Sequence, residues 1–309
     1  MEMPQRLNKW PAAARVTTTT QEEKSMRRRF LGYVLGIMVA VAAGTSTAQR
    51  YPDKPVRMLV GFAPGGGTDA TARAISQKLS ERLGQQVIVD NRPGAAGNIA
   101  TELAARANPD GYTILLGSIA ALAVNSSLSR NPRFDPLKDL SAVTRAVDLT
   151  NVLVVHPSVS ARSVKELVAL ARAKSLTGGS SGIGGAGHLA LELFNLTAGT
   201  RIVHVPYKGG GPAMIDLLGG NINLIFASAA SSVAYIKSGR IRAIAVTTLK
   251  RSALLPDLPT IAEAAFPGFD ANNWYGFVAP ARTPGSIINL LNKEIIAVMT
   301  TPEVKEFLF

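Results

Sequence analysis

The chain has 309 residues and no cysteine, so disulfide bridges, thiolate nucleophiles and zinc–thiolate sites are excluded. Its 33 Lys and Arg residues outnumber 21 Asp and Glu residues, but the basic residues are scattered and aromatic residues are few, which argues against nucleic acid as a partner. The length exceeds what one hydrophobic core usually supports and predicts two lobes.

The first 48 residues (1–48) predict an export signal. Three arginines at positions 27–29 precede an apolar stretch over residues 30–43, and small residues at 46–48 offer a cleavage site. The stretch is shorter than the ~20 residues that a membrane-spanning helix needs, although a retained anchor is the alternative. Arg27 and Arg28, followed by apolar residues at 30 and 31, match part of a twin-arginine signal. We therefore expect a periplasmic protein, exported by the twin-arginine route.

The rest of the chain remains basic after the predicted signal is removed. Residues 1–48 hold seven basic and three acidic residues, which leaves a formal charge of +8. This charge favours an anionic solute as ligand, and a generally cationic exported protein is the equal alternative.

Strand-like and helix-like segments alternate after the signal. The pattern predicts strands from Val56, Val87 and Tyr112, with helices that end near Leu83 and span residues 99–107. Alternation at this spacing is typical of a mostly parallel sheet with helices on both faces.

The second half of the chain continues the alternation after a loop over residues 131–139. We expect strands from Asn151, Ile202, Asn221 and Arg240, and a strongly amphipathic helix from Ser163. A NNWYGFVAP run and a last helix over residues 284–299 are expected to return to the first lobe. The prediction is an α/β fold of two lobes joined by a hinge, with a ligand cleft between them. Lobe 1 comprises residues 49–152 and 249–309, and lobe 2 comprises residues 153–248.

Four glycine-rich loops follow predicted strands and precede predicted helices. They are PGGGTD from Pro64, PGAAGN from Pro93, SSGIGGAGH from Ser180 and YKGGGP from Tyr207. Ligands of such α/β proteins bind beyond the carboxyl ends of the strands, and free N–H groups at helix N-termini bind anions. Several such ends predict a polyanionic small ligand.

The first of these loops is not a nucleotide site. It lacks the G-K-[ST] ending of a phosphate loop, and no loop has the G-x-G-x-x-G dinucleotide pattern, so no cofactor is expected. The N–H groups of Gly65, Gly66 and Gly67, with the Thr68 hydroxyl, form a nest that can hold a carboxylate. A tight turn that needs positive φ is the alternative. Either Thr68 or Asp69 is expected to cap the helix that follows.

The other loops differ in what they offer a ligand. Tyr207 adds a hydroxyl and Lys208 adds a charge, unless Lys208 is an ordinary solvated lysine. Pro212 suits the first position of the next helix. The third loop offers serine hydroxyls at 180 and 181, whereas PGAAGN is interpreted as structural, with Asn98 as an N-cap.

Catalytic patterns are absent from the sequence. His156, His188 and His204 lie far apart and are each interpreted as structural. The sequence has no G-x-S-x-G elbow, no H-E-x-x-H motif and no run of carboxylates at metal-ligand spacing. We therefore expect neither an enzyme nor a metal site.

Several sequence blocks, in order, closely resemble the Bug family of extracytoplasmic solute receptors, which are the binding components of tripartite tricarboxylate transporters. The blocks include YPDKPVRMLVGFAPGGGTDATARAI, VIVDNRPGAAGNIATELAARANPDGYTILLGS, IVHVPYKGGGPAMIDLLGGNINLIF and LPDLPTIAEAAFPGF. The resemblance covers residues 51–309. It implies a fold like the type II periplasmic binding proteins, and a monomer that closes on a small di- or tricarboxylate and presents it to membrane permease subunits.

The resemblance also implies a ligand site without a cofactor or metal, held largely by backbone N–H groups and hydroxyls. The expected ligand-binding residues are Pro64, Gly65, Gly66, Gly67, Thr68, Asp69, Ser118, Ser181, Gly182, Tyr207, Lys208, Gly209 and Ser228.

The sequence departs from the family pattern at three places. Family members often carry an acid where Ala227 and Ser228 follow Phe226, which puts recognition of an amino acid in doubt. The third loop has small residues at 185–187 in place of hydroxyl or amide side chains. Relatives usually continue beyond the last block, so we expect a truncated first lobe in which the apolar residues 304 and 307–309 have nothing to pack against.

The alternatives to a receptor are a periplasmic hydrolase acting on a small acid in the same cleft and a truncated, non-functional remnant.

Overall fold

The computed structural model describes residues 26–29, 51–128 and 133–308. Residues 26–29 are helical, and the remainder of the predicted signal, with its cleavage site at Ala48, lies outside the described residues. Within the described ranges, no helix combines the length and apolar character needed to cross a membrane.

The first of two sheets has the strand order β2-β1-β3-β10-β4. Its strands are β1 (Val56–Val60), β2 (Val87–Asn91), β3 (Thr113–Ser118), β4 (Leu140–Leu149) and β10 (Asn273–Pro280). Strand β1 pairs in parallel with β2 and β3, whereas β10 is antiparallel to β3 and β4. The prediction of a mostly parallel sheet is therefore wrong for half of these pairings. The reason is that β4 leaves for the second sheet and β10 returns from it beside β4.

The second sheet repeats this plan with the order β7-β6-β8-β5-β9. Its strands are β5 (Asn151–Val155), β6 (Thr177–Ser180), β7 (Val203–Pro206), β8 (Leu224–Ser228) and β9 (Arg242–Val246). Strand β6 is parallel to β7 and β8, and β5 is antiparallel to β8 and β9. Strand β5 directly follows β4, so residue 150 is the first crossing between the sheets.

Helices cover both faces of each sheet, as the alternation predicts. The helices are α1 (Gly67–Leu83), α2 (Asn98–Ala105), α3 (Asn125–Leu128), α4 (Pro136–Asp139), α5 (Val164–Ala173), α6 (Ala186–Ala198), α7 (Gly210–Leu218), α8 (Ala229–Lys237), α9 (Ile261–Ala264), α10 (Gly285–Met299) and α11 (Pro302–Leu308). A π-helical turn over residues 120–124 precedes α3.

Successive residues of the strands face opposite helical layers. In β1, Met58 packs with Ile75 of α1 and Leu291 of α10, while its neighbour Leu59 packs with Ala100 of α2. The second sheet is built in the same way: Leu153 of β5 lies in a core with α5 and α6, and the flanking residues 152 and 154 lie in a core with α7. Each sheet therefore has a core on both faces, because side chains alternate along a strand.

The segment before β10 packs with the second sheet. Ile261 and Phe269 are buried in the core that contains Leu153. The sequence analysis assigned residues 249–309 to the first lobe, and its domain boundaries stay a prediction. This packing favours a return to the first lobe close to Asn273.

Three helices begin earlier than predicted. Gly66, and neither Thr68 nor Asp69, is the N-cap of α1, and the carboxylate of Asp69 reaches back to accept a hydrogen bond from the N–H of Gly65 at 3.0 Å. Asn98 is likewise the first residue of α2 and not its N-cap, and Pro212 is the third residue of α7. In all three a glycine takes the N-cap position: Gly66 is extended, whereas Gly97 and Gly209 have the positive φ that glycine tolerates best.

The last described turns differ from the expectation of unpacked apolar residues. Val304 of α11 is 3% exposed and belongs to the core of the first lobe. Phe307 is 39% exposed. Helix α11 therefore contributes a side chain to the first core.

Replacing Ile261 with alanine tests the assignment of the segment before β10. The side chain is fully buried, so the loss of transfer energy and the cavity left behind are expected to lower the free energy of unfolding by about 2–5 kcal/mol. Hydrogen exchange followed by mass spectrometry is expected to accelerate in β5 and β9. The matched control is Ile296→Ala on α10, where the side chain is 44% exposed. Faster exchange confined to β1 and β3 would assign the segment to the first lobe instead.

Candidate functional site

A small cavity lies between the two sheets. Its volume is about 60 Å³, and residues of both lobes line it. The first lobe and its return strand contribute Phe62, Gly66, Gly67, Thr68, Ser118, Asn273 and Tyr275, and the second contributes Asn151, Gly179, Ser180, Ser181, Ala186, Gly187, Gly210, Ala213, Ile225, Phe226, Ala227, Ser228 and Ser231. This volume corresponds to about two water molecules of the liquid and excludes a polymer.

Four helices begin at this cavity, one from the first lobe and three from the second. They are α1, α6, α7 and α8, and the first residue or the N-cap of each lines the cavity. In none of the four does an N-cap side chain accept a hydrogen bond from the first turn. Helix α5, which begins away from the cavity, is capped by Ser163, and α9 has a capping box at Thr260. The cavity therefore faces several helix ends whose N–H groups remain available to an anion.

Polar side chains in the cavity also lack partners. The hydroxyls of Ser118 and Ser228, Nδ2 of Asn151 and Oδ1 of Asn273 are buried and form no hydrogen bond. A buried polar atom without a partner costs about 1–3 kcal/mol, so such atoms are normally satisfied by protein, water or ligand. Four of them around one small space indicate a site built for a polar ligand.

The described lining of the cavity is uncharged. Among the described residues that line the cavity, none is Asp, Glu, Lys, Arg or His. No group of three or more His, Asp or Glu residues in the described ranges is placed to hold a metal ion. Any charge on a ligand must then be balanced by backbone dipoles and hydroxyls.

Tyr275 of β10 forms part of the floor of the cavity. Its side chain is 4% exposed, and the side chains of Thr68 and Asn273 lie beside its hydroxyl. Burial raises the pKa of this hydroxyl, and the two neighbouring side chains oppose the rise only in part. Tyr275 is therefore neutral at physiological pH and lies next to a residue of α1 and a residue of the return strand.

The structure brings part of the predicted site together. Six predicted residues line the cavity: Gly66, Gly67, Thr68, Ser118, Ser181 and Ser228. The predicted residues outside the lining are Pro64, Gly65, Asp69, Gly182, Tyr207, Lys208 and Gly209.

Asp69 is occupied within its own lobe. Its carboxylate accepts hydrogen bonds from Arg73, from Asn91 and from the N–H of Gly65. Burial alone would raise the pKa of this carboxyl, but these hydrogen bonds and the charge of Arg73 outweigh burial and hold the pKa below its ordinary value. Asp69 therefore fixes the shape of the first loop.

Tyr207 is also engaged away from the cavity. Its hydroxyl donates to Oδ2 of Asp216 at 2.5 Å. Burial, and then the hydrogen bond to Asp216, raises the pKa of the Tyr207 hydroxyl to about 12. The side chain thus anchors the fourth loop to α7.

The first and fourth glycine loops contact each other across the cleft. The N–H of Ala63 donates to the carbonyl of Lys208 at 2.9 Å. A Cβ atom at Gly211 would lie 2.2 Å from the carbonyl oxygen of Pro64, and one at Gly209, where φ is +156°, would lie 2.7 Å from the nitrogen of Ala63. These glycines let the backbones of the two lobes touch.

A contact between Ser180 and His204 holds the third loop, although the two residues are 24 positions apart in the sequence. Oγ of Ser180 lies 2.6 Å from Nε2 of His204 and accepts from the N–H of Gly182 at 3.1 Å. The rings of His188 and His204 are 4.0 Å apart. Burial, and then the proximity of His188, lowers the pKa of His204 to about 4, so this imidazole is neutral at physiological pH. None of the three histidines lines the cavity.

The sequence analysis missed four polar residues of the lining, namely Asn151, Ser231, Asn273 and Tyr275. Asn151 and Asn273 open the two strands that cross between the lobes. A polar residue at the start of an otherwise apolar buried strand is the signal that was available for both.

The chain is similar to known proteins in sequence and in structure. Residues 71–309 match the family model described as the tripartite tricarboxylate transporter family receptor. Protein BugT of Bordetella pertussis is 39% identical over 278 residues, which cover 88% of this chain and 85% of that protein.

Solved structures give the same result. The periplasmic binding protein BugD is 36% identical with a TM-score of 0.80, and the match covers 83% of this chain and 86% of that one. Rpa4515 of R. palustris, solved with adipate, is 38% identical with a TM-score of 0.80, and the match covers 82% and 86% of the two chains. The chain therefore belongs to the tripartite tricarboxylate transporter receptor family, and it is a two-lobed α/β solute-binding receptor and not an enzyme.

Proposed function

We propose that this chain captures a small organic acid with two or three carboxylates in the periplasm, by closure of its lobes, and delivers it to the membrane permease of a tripartite transporter. The observation that carries the proposal is the convergence of four uncapped helix N-termini on one cavity with no charged side chain in its described lining. Each helix end presents a partial positive charge equivalent to roughly half an elementary charge.

The distribution of these helix ends supports a ligand with more than one carboxylate. Helix α1 approaches from the first lobe, and α6, α7 and α8 approach from the second. One carboxylate can accept from the first turn of α1 and another from the second-lobe helices, which places the solute across the cleft. The similarity to Rpa4515, which was solved with adipate, supports the same ligand class.

The uncharged lining argues for reversible capture. A buried Arg or Lys would hold an anion through an ion pair and several hydrogen bonds from one rigid group. Breaking such a buried ion pair is costly. Backbone N–H groups contributed by two lobes are brought together only by closure. Opening the lobes therefore separates the donors of α1 from those of α6, α7 and α8 at once, which suits delivery to a second protein.

The alternative of a periplasmic hydrolase is set aside by membership in the receptor family. The contact between Ser180 and His204 has its own structural explanation, because Oγ of Ser180 also holds the backbone of Gly182.

Binding of small dicarboxylates is the first expected outcome. At a ligand concentration 100 times the dissociation constant, binding to the folded state alone stabilises it by about 2.7 kcal/mol. Thermal unfolding of the purified protein with adipate, succinate, malate and citrate measures this. The dimethyl ester of adipate is the matched control, since it keeps the carbon chain and loses the charge. Equal midpoints with every acid and with buffer alone would contradict the proposal.

Replacing Gly211 with alanine is expected to weaken binding without unfolding the second lobe. The new methyl group meets the carbonyl oxygen of Pro64 only when the lobes are closed, so the clash is relieved by opening. We expect the affinity, measured by calorimetric titration, to fall by about tenfold or more, which is a cost of at least roughly 1.4 kcal/mol.

The matched control is Gly285→Ala. Gly285 also lies in the first turn of a helix, and a Cβ atom there has no other atom within 4 Å. The contact between the glycine loops is not part of closure if Gly211→Ala binds as tightly as this control.

Export is expected to depend on the arginine pair at positions 27 and 28. The twin-arginine route requires both guanidinium groups, so replacing Arg27 and Arg28 with lysine is expected to leave the protein in the cytoplasm. Cell fractionation of a bacterial host measures the distribution, and Arg29→Lys is the matched control. Undiminished export of the double variant would assign the chain to the general secretory route.

A further inference from the structure

The two strands that join the lobes each begin with an asparagine that faces the cavity. Asn151 opens β5 one residue after the first crossing, and Asn273 opens β10 at the second. Asn273 pairs with Leu149, two residues before Asn151. The hydroxyl and the N–H of Thr247 bind the carbonyls of Ala271 and Asn151 at 2.9 Å each, which ties the two crossings together. Both asparagines thus stand at the hinge end of the cleft.

The unpaired atoms of these two asparagines have opposite hydrogen-bonding roles. Nδ2 of Asn151 is a donor and Oδ1 of Asn273 is an acceptor, and neither has a partner. Asn151 is 2% exposed and Asn273 is 6% exposed, so bulk water does not satisfy them. The side chain of Asn273 also lies beside the Tyr275 hydroxyl, yet its Oδ1 accepts no hydrogen bond.

A carboxylate alone cannot satisfy this pair. An ionised carboxylate only accepts hydrogen bonds, so it suits Nδ2 of Asn151 and leaves Oδ1 of Asn273 unpaired. The ligand must therefore bring a donor. An ammonium group is a poor candidate, because no carboxylate side chain is present in the described lining to balance a buried cation. A hydroxyl group is neutral, and it donates and accepts at once.

We propose that Asn151 and Asn273 determine specificity by reading a hydroxyl group on the bound acid, so that the receptor selects a hydroxycarboxylate over the same acid without the hydroxyl. The inference rests on the proposed function, since it adds a second recognition element to a carboxylate site. The hydroxyl donates to Oδ1 of Asn273 and accepts from Nδ2 of Asn151. The carboxylates bind at the helix ends. The nearby hydroxyl of Ser228, which lies opposite Asn151 in the sheet, is free to bond to either group.

Matched pairs of acids that differ by one hydroxyl test the inference. Suitable pairs are malate with succinate, tartrate with malate, and citrate with tricarballylate. A site built to bond a hydroxyl discriminates strongly against the analogue that lacks it, because the buried polar groups are then left unpaired. We expect calorimetric titration of the parent protein to show at least about tenfold tighter binding of the hydroxylated member in at least one pair.

Variants of the two asparagines assign the effect to them. Asn273→Ala and Asn151→Ala are each expected to reduce the preference to nearly one by weakening the hydroxylated acid, with little change for its partner. Gly285→Ala, which touches neither lobe contact nor cavity, is expected to keep the preference. Melting midpoints of all three variants check that they fold. If an asparagine variant does not fold, the comparison of the paired acids on the parent protein still decides the inference.

The outcomes separate this inference from the proposed function. Equal affinity for both members of every pair means that water and not ligand fills the space between the asparagines, and it overturns the inference while carboxylate capture stands. Binding of adipate with no binding of any hydroxylated acid has the same meaning. Binding of no acid at all contradicts the proposed function itself. A preference that survives in both asparagine variants would overturn the role given to these residues.

Discussion

A solute anion enclosed in this receptor loses its water and meets no opposite charge among the described residues that line the cavity. Everything else in the site follows from that constraint. Removing an ion from water is expensive unless hydrogen-bond donors replace the lost hydration. In the function proposed above the donors are the first turns of α1, α6, α7 and α8, to which no N-cap side chain bonds. Because α1 belongs to one lobe and the other three to the second, that proposal makes the replacement complete only in the closed form.

The glycines of the first and fourth loops act indirectly: they let the two lobes approach closely enough for their helix ends to share one ligand. They allow the carbonyl of Lys208 to reach the N–H of Ala63, and they let the backbone of Gly211 approach Pro64. Side chains at these positions would hold the lobes apart and leave the helix ends too distant to share one ligand. The backbone contact and the ligand site therefore form together, and neither needs a charged side chain.

The sequence predicted the parts of this fold that rest on local pattern. Apolar periodicity located the strands from Val56 and Asn151 and the helix from Ser163, because each buries one face over several residues. It missed β6, whose sequence TGGS has no apolar alternation, and β4, where polar residues interrupt the run. It also assigned Gly65, Gly182 and Gly209 to the ligand site, although none of them lines the cavity, since a glycine that admits a neighbouring backbone has the same local sequence as one that admits a ligand. The pairing of His188 with His204 depends on tertiary contacts alone.

Asn151 and Asn273 lie on the strands that cross between the lobes. For this reason the proposed recognition of a hydroxyl depends less on lobe closure than the proposed recognition of carboxylates by the helix ends. Residues next to a hinge move least when two lobes rotate about it, so the spacing of the asparagines changes little between open and closed forms. The helix ends lie farther from the crossings and change their separation most. The proposals above therefore imply that a hydroxyl at the hinge is recognised before closure, whereas carboxylates held by both lobes are recognised through closure. Selection among acids would then precede the step that commits the receptor to its solute.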